Sequence, residues 1–270
     1  MKGKAGGFAI AAAVIMCVLA AGFLGSPGRG ALTSAYKAPE RPAALNYKLS
    51  FIPSARPQGR VNTYVPKPFR ASAESVRKYA VLFGMESAGI TEGAEAFTLR
   101  NGAERLIIHK DAAFIEYENA GETRPDAPPR SDEEAVRRAE DFLAERGLFT
   151  PYEEVKALKA PDGGFTLSFI NRLGNLKNYA FPQVVRLDAQ GRVTGADYYF
   201  ISYEKIGSGE IKTMEEALAE LPPAGEEVDL RKGQLVYFYE NSVVQAAWFF
   251  EGETGREREF ECFIPATVYD

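Results

Sequence analysis

Few residues in this chain belong to types that do covalent chemistry, and their spacing limits what they could do. One histidine, His109, sits in the run Leu106-Ile107-Ile108-His109-Lys110. A general base of this kind needs a nucleophile beside it, and no Ser or Cys stands in a nucleophile-elbow context. Gly207-Ser208-Gly209 lacks that spacing and follows a Tyr-rich strand as an ordinary turn. His109 is therefore read as a strand residue without a catalytic role. One His and two Cys, Cys17 and Cys262, do not supply the converging ligands of a usual zinc site. No Gly-rich loop joins a strand to a helix as a phosphate cradle would. No metal and no other cofactor is expected. Paired carboxylates remain: Glu116 and Glu118 share a strand face, as do Glu259 and Glu261, and two acids flanking a cleft would make a glycosidase. Their alternation with Phe114, Ile115 and Tyr117 reads instead as a solvated edge. No catalytic residue emerges, and the chain is not expected to be an enzyme.

Aromatic strand surface is what the chain has in abundance: Tyr198-Tyr199-Phe200, Tyr203, Tyr237-Phe238-Tyr239 and Trp248-Phe249-Phe250. Most such rings pack into a core, but strand alternation sends some to the opposite face. Exposed Tyr and Trp commonly anchor protein partners. Tyr199, Tyr203, Tyr237, Tyr239 and Trp248 are thus the candidate partner-binding residues.

The elements that must position these rings follow from cap and periodicity signals. Ser131 with Glu134 reads as a capping box, followed by an apolar stripe of Ala135, Ala139, Phe142 and Leu143 that ends at Gly147. Thr213 with Glu216 repeats the design before Pro222-Pro223, and Ser72 caps a third helix whose face is Val76, Tyr79, Ala80 and Phe83. Strands follow each helix: 96–100, 105–109 and 113–118, with an Asn101-Gly102 hairpin turn; then 155–159, 164–172, 183–188 and 193–204; then 235–240, 245–251 and 259–264. The expected fold class is α+β, with an N-terminal transmembrane helix followed by repeated units of one helix plus an antiparallel β-meander, an arrangement resembling PepSY domains. Residues 45–122 form a first lobe and 131–270 a second, divided by the Pro-rich stretch near Pro125, Pro128 and Pro129.

Location is read from the first residues. Ala5 to Gly28 carries no charge, and Phe8 to Leu24 is almost wholly apolar. Roughly 20 residues at 1.5 Å rise span a bilayer core, so 1–28 reads as a cytoplasmic tip and membrane helix, and 29–44 as a flexible stalk. Lys2 and Lys4 precede the apolar run, which keeps the N-terminus cytoplasmic and places the C-terminal domain outside the cell membrane as a single-pass protein. Cleavage as a signal peptide is the competing reading. Cys17 lies in the middle of the apolar run and not after a small residue at its end, which disfavours lipidation. The chain carries 32 basic and 37 acidic side chains. Without Lys2 and Lys4 the outer part has 30 against 37, a net charge of −7, so nucleic acid is excluded as a partner.

The segment Ser202-Tyr203-Glu204-Lys205-Ile206, the stretch Ile211 to Leu218, Leu235-Val236-Tyr237-Phe238-Tyr239 and Ala247-Trp248-Phe249-Phe250 resemble the YycH/YycI family, closest to the YycI type. Its members are extracytoplasmic regulators of an essential two-component sensor histidine kinase in low-GC Gram-positive bacteria. The resemblance implies a membrane sensor kinase and a homologous sister regulator as partners, contact through the membrane helix as well as the outer domain, and a role in cell-wall metabolism. The rival readings are an anchored ligand-binding or protease-inhibitor-like domain of PepSY type and, further off, a cell-wall hydrolase using paired carboxylates.

Overall fold

A computed structural model describes residues 47–53, 59–121, 128–129, 131–255 and 258–268. The membrane segment and stalk expected at 1–28 and 29–44 lie outside the described residues. Among the described residues no helix is long and apolar enough to cross a membrane. In chain order the elements are β1 (Tyr47–Leu49), β2 (Arg60–Pro66), α1 (Ala73–Leu82), β3 (Gly89–Glu92), β4 (Ala96–Asn101), β5 (Glu104–His109), β6 (Phe114–Asn119) and α2 (Asp132–Glu145). They continue with β7 (Glu154–Lys159), β8 (Phe165–Leu173), β9 (Leu176–Leu187), β10 (Val193–Tyr199), β11 (Tyr203–Ile211), α3 (Met214–Ala219), β12 (Val228–Glu240), β13 (Val243–Thr254), β14 (Glu259–Pro265) and β15 (Thr267–Val268).

The helices start where their caps require. Ser131 Oγ accepts from the Glu134 N–H, and Thr213 and Glu216 close a reciprocal box, with the Thr213 N–H donating to Glu216 Oε2 at 2.7 Å. Ser72 forms such a box with Ser75, a partner the sequence reading did not name. Capping satisfies N–H groups that have no acceptor within the helix, at about 1 kcal/mol each.

The expected fold class is corrected. The described residues are 52% strand and 14% helix, and the strands form a large mixed β-sheet instead of repeated helix-plus-meander units. Three pairings explain why. Strand β6, the last of the first meander, pairs antiparallel with β10, the last of the second (Tyr199↔Phe114, Asp197↔Glu116), so the two meanders share one ladder. Strand β12 then runs parallel to β9 through Val236↔Lys177 and Tyr237↔Asn178, and parallel to β1 through Tyr47↔Val228. Helix α3, six residues long, is too short to cover a meander of its own. Period-2 patterning specifies strands and their faces but not their partners, and this is the information that failed here.

Two units of dense contact divide the described chain. One comprises the residues up to Val61 with Ser208–Leu235 and from Ala246 onward; the other comprises Asn62–Gly207 and Val236–Gln245. This interleaved division does not follow the 45–122 and 131–270 lobes.

In the first unit β13 pairs with β14 from Ala247↔Pro265 to Glu253↔Glu259, and Phe249 stacks on Phe263 at 4.5 Å. Cys262 is buried in this ladder, opposite Phe250. In the second unit α1 and α2 lie on one face of the sheet β9-β10-β6-β5-β4-β3. Val76, Ala80 and Phe83 of α1's face and Ala135, Ala139, Phe142 and Leu143 of α2 close over Leu106, Ile108, Ile115, Tyr117, Val185 and Leu187. Burial of each large side chain stabilises by about 1.5–3 kcal/mol, so this seam contributes substantially to the stability of the second unit.

Candidate functional site

Because α1 and α2 occupy one face of the second unit's sheet, alternation sends every other side chain to the opposite face. On β10, Ala196 and Tyr198 join the helix-side core, leaving Gly195, Asp197 and Tyr199 opposite. On β6, Ile115 and Tyr117 face the helices, leaving Phe114, Glu116 and Glu118. On β5 the counterparts are Arg105, Ile107 and His109. The register aligns these side chains in rows: Arg105 with Glu118 and Gly195, Ile107 with Glu116 and Asp197, and Phe114 with Tyr199.

Each acid in these rows lies within hydrogen-bonding distance of a side-chain nitrogen. Arg186 on β9 grips Asp197 with two parallel bonds, Nη1 to Oδ2 and Nη2 to Oδ1, both 2.7 Å. Arg105 Nη2 donates to Glu118 Oε1 at 2.7 Å, and His109 Nε2 lies 2.8 Å from Glu116 Oε1. Gly195 makes room for the clamp: a Cβ there would stand 2.9 Å from Arg186 Nε and 3.2 Å from the Tyr117 carbonyl oxygen. The hydrogen bond from His109 holds the Glu116 carboxyl below its usual range, against the opposing effect of burial. Glu116 and Glu118 do share a face, but β6 is flanked by β5 and β10, so the solvated edge expected of them is corrected to an interior strand.

Beside the ion pairs runs a chain of rings. His109 stacks on Phe114 at 5.0 Å, Phe114 on Tyr199 at 4.5 Å, and Phe181 touches Tyr199 at 5.3 Å and Tyr239 at 4.9 Å. Tyr199 and Tyr239 are half-buried. Burial, followed by the charges of Asp197 and Glu116, pushes the Tyr199 hydroxyl up to about 12, so it stays a protonated donor at neutral pH. A second group centres on Tyr64, with Tyr237 at 5.5 Å and Tyr203 at 6.2 Å. The half-buried Tyr203 accepts from Asn178 Nδ2 at 3.1 Å.

The five candidate rings therefore divide. Tyr199, Tyr203 and Tyr239 are half-buried in the second unit, with the first and last in one ring chain. Tyr237 is 3% exposed and packed on Tyr64, which makes it a core residue. Trp248 is 2% exposed in the first unit, and its Nε1–H donates to the Lys212 carbonyl at 2.9 Å. Neither of these two offers a surface to a partner. Sequence reasoning missed Phe181, Arg186 and Asp197. For Asp197 the signal was present, since it shares its strand face with Tyr199. Among the described residues no group of three or more His, Cys, Asp or Glu is placed to hold a metal ion.

Comparison with known proteins adds little. No family profile matches the chain. No curated protein matches it either. Among solved structures it is similar to the C-terminal domain of Bacillus megaterium YpeB, with a TM-score of 0.48 and 12% identity, covering 74% of this chain and 95% of that one. A likeness at that level carries neither family nor function to this chain.

Proposed function

We propose that this chain is a membrane-anchored, non-catalytic regulator whose extracytoplasmic part binds a two-component sensor histidine kinase and modulates its signalling. The single observation that supports a binding role is the sheet face opposite α1 and α2. There Tyr199 stacks on Phe114, Phe181 packs at a tilt against both Tyr199 and Tyr239, and the Arg186–Asp197 clamp lies on the same strand face as Tyr199. Side chains fixed before binding lose little entropy on association, and Tyr and Arg are the residue types that most often carry interface energy. The apolar Ala5–Gly28 segment supports the membrane location, and the resemblance of the quoted motifs to the YycI type supports the class of partner.

A photo-crosslinking residue at Tyr239, with a control at the exposed Arg137 of α2, tests this in the native membrane. Capture of a sensor kinase from Tyr239 and not from Arg137 supports the proposal. Capture of a secreted protease, or of nothing in cells that express the kinase, refutes it.

A further inference from the structure

On the helix side of the second unit, a concavity of about 640 Å³ opens between α2 and the sheet. That volume lies within the roughly 300–1,000 Å³ typical of small-ligand sites. Its helix wall is the stripe Arg138, Asp141, Phe142, Glu145 and Arg146; Glu104 and Tyr117 stand across from it, and Gly191 to Val193 close one end.

The polar groups of this wall differ in how well they are satisfied. Arg138 donates to Glu134 Oε1 at 2.8 Å and to the Gln190 carbonyl at 3.0 Å, and Arg192 Nε donates to Asp188 Oδ2 at 2.6 Å. Those two guanidinium groups hold the wall together. Arg146 is held differently, by rings: its guanidinium lies 3.8 Å from the Phe142 centroid, 5.7 Å from Tyr117 and 5.9 Å from Phe83. Its Nη1 reaches the Phe142 carbonyl at 3.3 Å, the Glu145 carboxylate is 3.8 Å away, and its Nε is buried with no hydrogen-bond partner among the described residues. A buried donor left unsatisfied costs about 1–3 kcal/mol, so Arg146 is the least satisfied of the three guanidinium groups. Tyr117 donates to Glu104 at 2.5 Å, so that carboxylate is partly used. Asp141 is exposed and has no partner among the described residues.

A purely anionic ligand would meet Glu104, Asp141 and Glu145, and a purely cationic one would meet three guanidinium groups. A ligand carrying one charge of each sign avoids both conflicts. Asp141 and the C-cap residue Arg146 are five residues apart, so they stand at opposite edges of this wall, about 140° apart around the helix and about 7.5 Å along its axis. Two to three extended residues span about 7–10 Å. We propose that this concavity binds a short zwitterionic peptide of two or three residues, its carboxylate on Arg146 and its ammonium at Asp141 beside Glu145.

Calorimetric titration of the full-length chain in mild detergent with dialanine, N-acetyl-dialanine and dialanine amide tests the site. Dialanine is expected to bind one to one, and either cap to weaken it about tenfold, the loss of one charge-assisted contact. Asp141→Asn is expected to abolish the preference for the free amine, and Arg146→Met that for the free carboxylate. No heat from millimolar dialanine overturns the proposal, as do equal binding of the capped peptides and unchanged binding in the Asp141→Asn chain. Asp141 is exposed, so its variant folds and decides the matter even where Arg146→Met does not.

Discussion

Replacing Trp248 by Phe separates a core role for that residue from a surface one. Trp248 is the chain's single tryptophan, 2% exposed, with its indole N–H on the Lys212 carbonyl at 2.9 Å. The substitution removes part of the ring, equivalent to about two buried methylenes at about 0.8 kcal/mol each. It also leaves a carbonyl short of a donor, at about 1–3 kcal/mol. The expected loss is about 3 kcal/mol. For a folded part of this size that corresponds to a midpoint about 6–12 °C lower in a thermal melt followed by far-ultraviolet circular dichroism. In the native chain the Trp248 emission is expected to be blue-shifted and insensitive to iodide. Partner crosslinking from Tyr239 is expected to be unchanged below the melting temperature, because Trp248 presents no surface. A midpoint within about 2 °C of the native chain, together with lost crosslinking, would refute the burial argument and restore Trp248 as an anchor.

Three further outcomes follow from the second unit. In a double-mutant cycle of Arg186→Met and Asp197→Asn, the coupling energy is expected at about 1–2 kcal/mol, since the bond is bidentate and Asp197 half-buried; additive losses in urea unfolding would mean that the clamp contributes nothing. Glu116 has its folded-state pKa below its unfolded value, so the stability it contributes is present above the unfolded pKa, about 4.5, and is lost as pH falls through the lower folded value. Melting midpoints measured below about pH 4.5 should therefore fall more steeply for the native chain than for Glu116→Gln, and parallel slopes would count against the His109 contact. Gly191 has φ +77°, and a Cβ there would stand 2.2 Å from Arg138 Nη1, so Gly191→Ala is expected to cost about 1–3 kcal/mol in the same unfolding assay; a neutral result would show that Arg138 swings away freely.

What was legible in the sequence was local. Ser131, Thr213 and Ser72 mark their helix starts because a cap is a contact between residues three apart, and the Asn101-Gly102 turn joins its two strands for the same reason. Pairing between distant strands was not legible: nothing in Phe114–Asn119 or Val193–Tyr199 states that these two segments lie side by side. The candidate site failed in the same way. Tyr199, Tyr237 and Trp248 are named on one argument, that alternation sends some rings of an aromatic strand to the second face; the structure turns Tyr199 away from the helices, whereas Trp248 and Tyr237 are buried, because an aromatic strand does not declare which face is covered.

Phe181 shows the limit most sharply. Strict alternation along β9 would put it with Gln183, Val185 and Leu187, on the helix side. The β8–β9 register breaks between Phe169↔Gln183 and Asn171↔Asn178, so five steps on β9 oppose two on β8. The extra residues free Phe181 from the alternation of its neighbours and let it bridge Tyr199 and Tyr239. An irregularity of this kind places the ring that joins the two halves of the aromatic chain, and it exists only once β9 has found β8. If the sheet face binds a partner as proposed, Phe181→Ala should weaken capture through both tyrosines while leaving the Arg186–Asp197 clamp intact, because it removes the ring contact between them without touching either ion.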